Sequence, residues 1–382
     1  MIKYFFNFFF VLFLILPSCR NENKITIEET DNQNLISTGL DSSNLTQINN
    51  ILDLENVIEL KGSDTNPISN TYFIKRVLNV KDRIYILDER FSAILMYDIN
   101  GNFIGNVGNK GIKKGEFVLI EDVYYDEFND ILLALCNTPN KLIKFSLDGK
   151  FLSETYLKFY ASDLIVENKN SIYFYVNQNN SPLAQQFNVL RTDSNFNVLD
   201  RAFKIPPQND KAISSTGGLI KGDKNIYFSL PYERNIYEIN SNGIKLKYKV
   251  DFGKEGNIDD VDFKLSNYYI KKSYPSKKSF FVSDLVGINY LKGGKKVLDI
   301  FKDENRIFSS ISGNPIDNLF NEGAFYTGNK IFMIFTPKFK IESLIKYKEE
   351  INNFFPLLTE NFKGRNNSNI ASPYLLVFNL RK

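Results

Sequence analysis

The 382-residue chain has no histidine and no tryptophan, and only two cysteines, Cys19 and Cys136. Without histidine there can be no His-based catalytic triad and no His metal site, and the commonest general base near neutral pH is missing. Proton transfer on this chain would fall to Asp, Glu, Tyr, Lys, Arg or Ser. With Cys19 at the end of a leader, Cys136 has no partner for a disulfide within the mature chain. Cys136 closes the apolar run Ile131–Cys136 and is expected to pack in the core as a small hydrophobe. Neither sign of charge dominates: 47 Lys and Arg face 44 Asp and Glu, a net of +3. The modest basic clusters at 272–278 and 292–296 read as solvated loops, and nucleic acid is not expected as a partner.

What is present is apolar and aromatic. Hydrophobic residues make up 43% of the chain, with 34 Phe and 21 Tyr, enough for a large core. At the N-terminus Lys3 precedes a run from Phe5 to Leu16 broken only by Asn7. A bilayer span takes about 20 residues, so this run reads as a secretory signal peptide over 1–18. Leu16-Pro17-Ser18-Cys19 resembles the bacterial lipoprotein cleavage box. That resemblance implies cleavage before Cys19, lipid attachment to it, and the membrane as a partner through the anchor. Residues 20–50 are polar, rich in Asn, Thr and Ser, and without sustained periodicity. With Cys19 they are read as a lipidated flexible tether over 19–55.

From Val57 onward, short β-rich runs alternate with turn residues, the pattern of an all-β protein. Six copies of one unit begin near residues 84, 131, 171, 225, 279 and 330. Their spacing of roughly 40–50 residues matches a four-stranded propeller blade. In the first two copies, Asn100-Gly101 and Asp148-Gly149 stand between apolar runs and predict tight hairpins. Innermost strands are expected at 72–80, 117–125, 159–167, 213–221, 261–269 and 319–327. The last blade lacks an outer strand of its own. Asn56–Lys61 is expected to supply it, beside Tyr374–Leu380 as third strand, so that both chain ends close the ring and no edge is left unpaired. Residues 336–355 carry Ile341, Leu344, Ile345, Ile351 and Phe355 near helical spacing, with Pro337 suited to a first turn. A helical insertion is predicted over about 337–355, stopped by Pro356. The expected fold is a six-bladed β-propeller over 56–382.

The stretch Arg83–Phe117 carries a strand ending in Asp88, the hairpin Tyr97-Asp98-Ile99-Asn100-Gly101-Asn102-Phe103-Ile104, and a glycine-rich loop ending in Gly115-Glu116-Phe117. It resembles the six-bladed β-propeller lipoproteins of Bacteroidetes, related to NHL-type propellers. The C-terminal stretch resembles that family's closing strand, with Ser372-Pro373 where the family usually has Asn-Pro. The resemblance implies the fold and a cell-envelope setting. It says little of activity, because propellers host many unrelated functions.

Ligand-binding candidates are Lys110, Lys113 and Lys114 of the glycine-rich loop, whose ammonium groups can face an anion, and the acids Glu121 and Asp122. Paired carboxylates are also what a glycoside hydrolase needs. Asp88, Asp98 and Asp148 are expected to accept backbone N–H groups in turns. Asp126, Glu127 and Asp130 read as a solvated turn. Tyr124-Tyr125, Tyr173-Phe174-Tyr175 and Tyr268-Tyr269 are expected to pack between sheets. No metal and no cofactor is expected. The functional expectation is a non-catalytic envelope module binding a protein, peptide or glycan at one mouth of the propeller. The alternative is a carboxylate-based glycan hydrolase or lyase. The residues after Cys19 lack the acidic run that resembles a surface-export signal, which favours the periplasmic face of the outer membrane.

Overall fold

A computed structural model describes residues 27–28, 34–38, 50–62, 68, 73–177, 181–205, 217–230, 233–240, 242–253, 275–276, 278–292, 295–311, 324–327, 330–335, 356–361 and 372–381. Six sheets, each with a four-stranded antiparallel body and one extended to six strands, account for most of them, and they form a six-bladed β-propeller. From the inside outward, blade one runs Ile74–Val80, Arg83–Asp88, Ala93–Asp98, Phe103–Asn106. Blade two runs Leu119–Asp126, Ile131–Thr138, Asn140–Phe145, Phe151–Tyr156. Blade three follows with Asp163–Asn168, Ser171–Tyr175, Phe187–Thr192, Val198–Lys204. Blade four has Gly218–Lys221, Ile226–Ser229, Asn235–Asn240, Gly243–Asp251. Blade five has Phe280–Val282, Leu285–Lys292, Lys295–Lys302, Asn305–Ile311. Blade six combines Ala324–Thr327, Lys330–Phe335 and Tyr374–Leu380 with Leu52–Glu59 from the N-terminal side.

Burial follows from the stacking of blades face against face. A second strand has neighbours on both faces, so it is mostly apolar: Ser171–Tyr175 is buried at every position. The outermost strand Phe151–Tyr156 is mostly exposed and correspondingly polar. Core clusters lie between successive sheets and continue round the ring. The last joins Phe325, Phe332 and Leu375 of blade six to Ile74, Ile84 and Tyr97 of blade one. The seam is closed as expected, with Tyr374 opposite Glu59 and Leu376 opposite Val57. It is then tacked to blade one. Lys61 donates its backbone N–H to the Gly101 carbonyl at 2.9 Å, and its Nζ reaches Asn102 Oδ1 at 3.1 Å. Gly101 sits at φ +79°, and a Cβ there would fall 2.1 Å from the Glu59 carbonyl oxygen, so glycine is required both by the turn and by the close approach.

Two expectations and one strand boundary differ from what is found, and the predicted helix is not among the described residues. The innermost strand of blade five is Phe280–Val282, a segment read from the sequence as that blade's second strand; the expected inner strand 261–269 lies outside the described residues. The run was misplaced because Phe280–Val282 is apolar throughout, as second strands are. The predicted helix 337–355 also lies outside the described residues, as does Cys19. The described helix is the short Pro356–Asn361, which Pro356 opens. Finally, the span 19–55 is more than a tether. Ile27–Glu28 and Asn34–Ser37 pair in parallel with the outer strand of blade four, Ile27 opposite Ile244 and Ser37 opposite Asp251. Ile36 is fully buried among Tyr227, Val250, Phe281 and Ile288, between blades four and five. Thr38 fastens the end, with both its N–H and its Oγ1 bonded to the Asp251 carbonyl. The outer strand of blade six likewise begins at Leu52, earlier than the expected Asn56.

Candidate functional site: the central channel

Every inner strand runs in the same sense, so one end of the channel carries the hairpins that join first to second strands. Val80 pairs with Arg83 there, and Lys221 with Ile226. A cavity of about 390 Å³ occupies the channel and reaches that hairpin end. Its lining comes from the C-terminal halves of the inner strands: Asn79 and Lys81 of blade one, Tyr124 and Tyr125 of blade two, Lys221 of blade four, Tyr326 and Thr327 of blade six. The exposed side chains Lys81, Glu127 and Asp223 stand at its rim. The innermost strand supplies such groups because its side chains on the axis meet no facing sheet.

Towards the other end, the cavity is bounded by a buried ionic clamp. Arg76 of blade one donates Nε to Asp122 Oδ1 at 2.9 Å and Nη2 to Asp122 Oδ2 at 2.5 Å, a two-pronged pairing. Nη2 also reaches Asp163 Oδ1 at 2.6 Å. Both carboxylates are essentially buried. Each holds a further backbone group. Asp122 Oδ2 accepts the Leu164 N–H of blade three at 3.3 Å, and Asp163 Oδ2 accepts the Leu219 N–H of blade four at 3.0 Å. Burial alone would lower the Arg76 pKa, but Asp122 and Asp163 outweigh it and hold the guanidinium charged, above its ordinary value. Burial likewise pushes the Tyr124 phenol well above its usual range, so it remains a neutral hydroxyl beside the clamp.

The five candidate binding residues are not brought together. Lys110, Lys113 and Lys114 are exposed on the loop between blades one and two. That loop is held against the outermost strand of blade two: Gly115 N–H donates to Glu154 Oε2 at 2.9 Å, and Lys114 Nζ lies 5.7 Å from the Phe151 ring centroid. Buried Lys141 shares Glu154 at 2.9 Å. This is a fastened blade connection, away from the inner strand that carries Asp122. Glu121 does not line the cavity; it meets Lys75 at 3.5 Å and the Asn137 amide at 3.2 Å. Asp122 does not line the cavity either; it is fully buried and committed to the clamp that bounds it. Asp88 accepts the Arg90 and Phe91 N–H groups, and Asp98 those of Asn100 and Asn102, as turn residues do. Asp126 closes a turn through Phe128 and Asn129 but is buried, while Glu127 and Asp130 are exposed. Tyr173, Phe174 and Tyr175 pack in the core, and Cys136 is buried and free, its thiol pushed up to about 12 by burial. Tyr268 and Tyr269 lie outside the described residues. Among the described residues no group of His, Cys, Asp and Glu is placed to hold a metal ion.

Arg76 and Asp163 were not singled out from the sequence. A signal was there: Arg76, Asp122 and Asp163 are opposite charges inside three segments read as innermost strands, where only the channel can receive them.

The model of a family described as a six-bladed β-propeller, DUF5128, matches residues 23–348. The chain belongs to that family. No curated protein matches it. Among solved structures it is similar to an exported protein of Bacteroides fragilis, with 19% identity, a TM-score of 0.69, and coverage of 94% of this chain and all of that one. A DUF4221-family member from Bacteroides vulgatus shares 9% identity, with a TM-score of 0.52 over 87% of this chain and 99% of that one. A virginiamycin B lyase from Staphylococcus aureus covers 74% of this chain and 80% of its own, at 13% identity and a TM-score of 0.40. The first two likenesses speak to the fold, and the third is too distant to carry an argument about chemistry.

Proposed function

We propose that the protein is an exported cell-envelope lipoprotein, anchored through Cys19, whose propeller binds a protein, peptide or glycan in the central cavity without transforming it. The observation that supports this reading most is the state of the acids at the axis. Hydrolysis or elimination by carboxylates needs one free acid to give or take a proton and a second group beside the reacting bond. Asp163 faces Arg76 with Oδ1 and the next blade's backbone with Oδ2, while Asp122 gives both oxygens to Arg76 and shares Oδ2 with the next blade's backbone. They work as fasteners between strands. What remains towards the ligand is a mixed wall of Asn79, Tyr124, Tyr326, Thr327 and Ser279, suited to hydrogen bonding and stacking, with Lys81, Lys221, Glu127 and Asp223 spread round the mouth. The leader and the Leu16-Pro17-Ser18-Cys19 box support the envelope location, and the residues after Cys19 favour the periplasmic face of the outer membrane.

The test is capture of the intact lipoprotein from crosslinked native envelopes beside a Cys19→Ala form. A stoichiometric partner held only by the anchored protein supports an envelope binding module. Glycan turnover by the purified protein, lost in Asp122→Asn, contradicts it.

A further inference from the structure

The strands Ile27–Glu28 and Asn34–Ser37 decide where the N-terminal chain leaves the propeller. They run parallel to Gly243–Asp251, the outer strand of blade four. That strand starts at the turn closed by Asn240 opposite Gly243. First and third strands of a blade run in the same sense, so this turn lies at the same end as the hairpin that pairs Lys221 with Ile226. Ile27 sits opposite Ile244, at the beginning of the outer strand. The chain preceding Ile27 therefore departs from the hairpin end, the end at which the cavity opens through Lys81, Glu127 and Asp223. From Cys19 to Ile27 there are eight residue steps, which reach at most roughly 29 Å when fully extended.

We propose that the hairpin end of the propeller, with the mouth of its cavity, faces the membrane that holds the lipid. This rests on the reading that Cys19 is lipidated. A strap docked along blade four with its anchor-side end at the hairpins presents the lipid at that end; reaching the opposite end would require the eight residues to double back nearly fully extended along the whole blade. Buried Ile36 and the two Thr38 bonds to Asp251 keep the strap in place. Charge does not supply the orientation: Lys81 pairs with Asp130 at that end, and Lys221 and Lys224 are offset by Glu127 and Asp223. The partner the mouth fits is one presented at that same membrane surface, which meets the cavity before a solute arriving from the far side.

The experiment uses the full lipidated protein in vesicles of phosphatidylethanolamine and phosphatidylglycerol with a headgroup energy-transfer acceptor. Single cysteines for a donor dye are placed by Asn242→Cys, exposed at the turn beside the strap, and by Thr138→Cys, exposed at the turn between second and third strands of blade two, at the opposite end. Buried Cys136 stays unlabelled. The two ends of a blade lie roughly 20–25 Å apart, from about 3.4 Å per strand residue. Transfer is expected to be several-fold stronger from position 242 than from 138, to persist in high salt, and to become equal when Ile36→Asp with Thr38→Ala frees the strap. Equal or reversed transfer in protein whose Cys19 peptide carries the acyl mass overturns the orientation and leaves the anchor standing. A Cys19 peptide without acyl mass overturns both. A difference that salt abolishes, or that survives release of the strap unchanged, overturns the strap as its cause.

Discussion

Blades one to three and blades four to six are joined by different chemistry. In the first half a single guanidinium links three blades: Arg76 to Asp122 and Asp163, whose Oδ2 atoms also accept N–H groups from the inner strands of blades three and four. Ser92 adds a staple by accepting the Ile120 N–H in a buried position at 3.0 Å. Among the described residues of the second half, the inner strands and their hairpins meet through single hydrogen bonds, including Ser283 N–H to Asp223 Oδ2 at 3.1 Å. Asp223 donates its N–H to the Phe281 carbonyl at 3.3 Å, Ala324 its own to Lys278 at 3.3 Å, and Asn79 donates to Thr327 Oγ1 at 3.2 Å. The second half compensates from outside, where the strap fills the groove between blades four and five with Ile36. Ionic pairing fixes one half at the axis, and apolar burial fixes the other at the rim.

The largest expected effect is at the axis. Arg76→Met strands two buried carboxylates, and losing one partner of a buried ion pair costs about 3–5 kcal/mol. Chemical denaturation of this variant beside Thr327→Val is expected to show the gap, since the latter removes only a neutral hydrogen bond worth about 1 kcal/mol. A loss for Arg76→Met no larger than for Thr327→Val would erase the distinction between the halves.

Next is the rim. Ile36→Ala removes a fully buried side chain, for which about 2–5 kcal/mol is typical. Limited proteolysis is expected to cut the strap first, with blades one to three intact. Ser92→Ala leaves the Ile120 N–H without its acceptor and is expected to cost about 1–2 kcal/mol. Its unfolding midpoint should fall less than that of Arg76→Met.

The smallest expected effect concerns pH. Gly115 N–H and the Lys141 ammonium hold the Glu154 carboxyl below its ordinary value of 4.5. A depressed folded-state pKa adds stability that is fully present above the ordinary value and disappears as pH falls through the lowered one. The stability difference between the native protein and Glu154→Gln should therefore be constant at neutral pH and shrink in acid. A difference that grows in acid would mean that Glu154 is not held as its charged form.

Much of the architecture was legible because a propeller repeats its own signals. Each second strand is an apolar run, and the Asp–Asn–Gly turns mark outer hairpins, so Asp98 and Gly101 play the roles expected of them. The closure by Leu52–Glu59 was visible as a missing outer strand in the last copy. Blade five was misframed because Phe280–Val282 is an inner strand with the composition of a second one. The strap escaped notice because Ile27 and Leu35 stay exposed and only Ile36 is buried, too short a pattern to show periodicity. The candidate site was read less well. Asp122 was singled out as a possible binding group, yet its partner Arg76 is 46 residues away, and a pairing across blades leaves no local trace. The lysines of the glycine-rich loop looked like an anion site because glycine spacing reports backbone geometry, and here that geometry serves attachment to Glu154 and Phe151.

The most direct test of binding in the channel is to block it. Asn79 lines the cavity and is half-buried, and the chain contains no tryptophan. Asn79→Trp fills the space and adds a unique fluorophore that reports whether the propeller remains folded. The intact lipoprotein and this variant would be recovered in parallel from crosslinked envelopes and the molecules held by each compared. The account predicts a stoichiometric species held by the native protein and lost from the folded, blocked variant. The same species held equally by both would contradict the central cavity as the binding site.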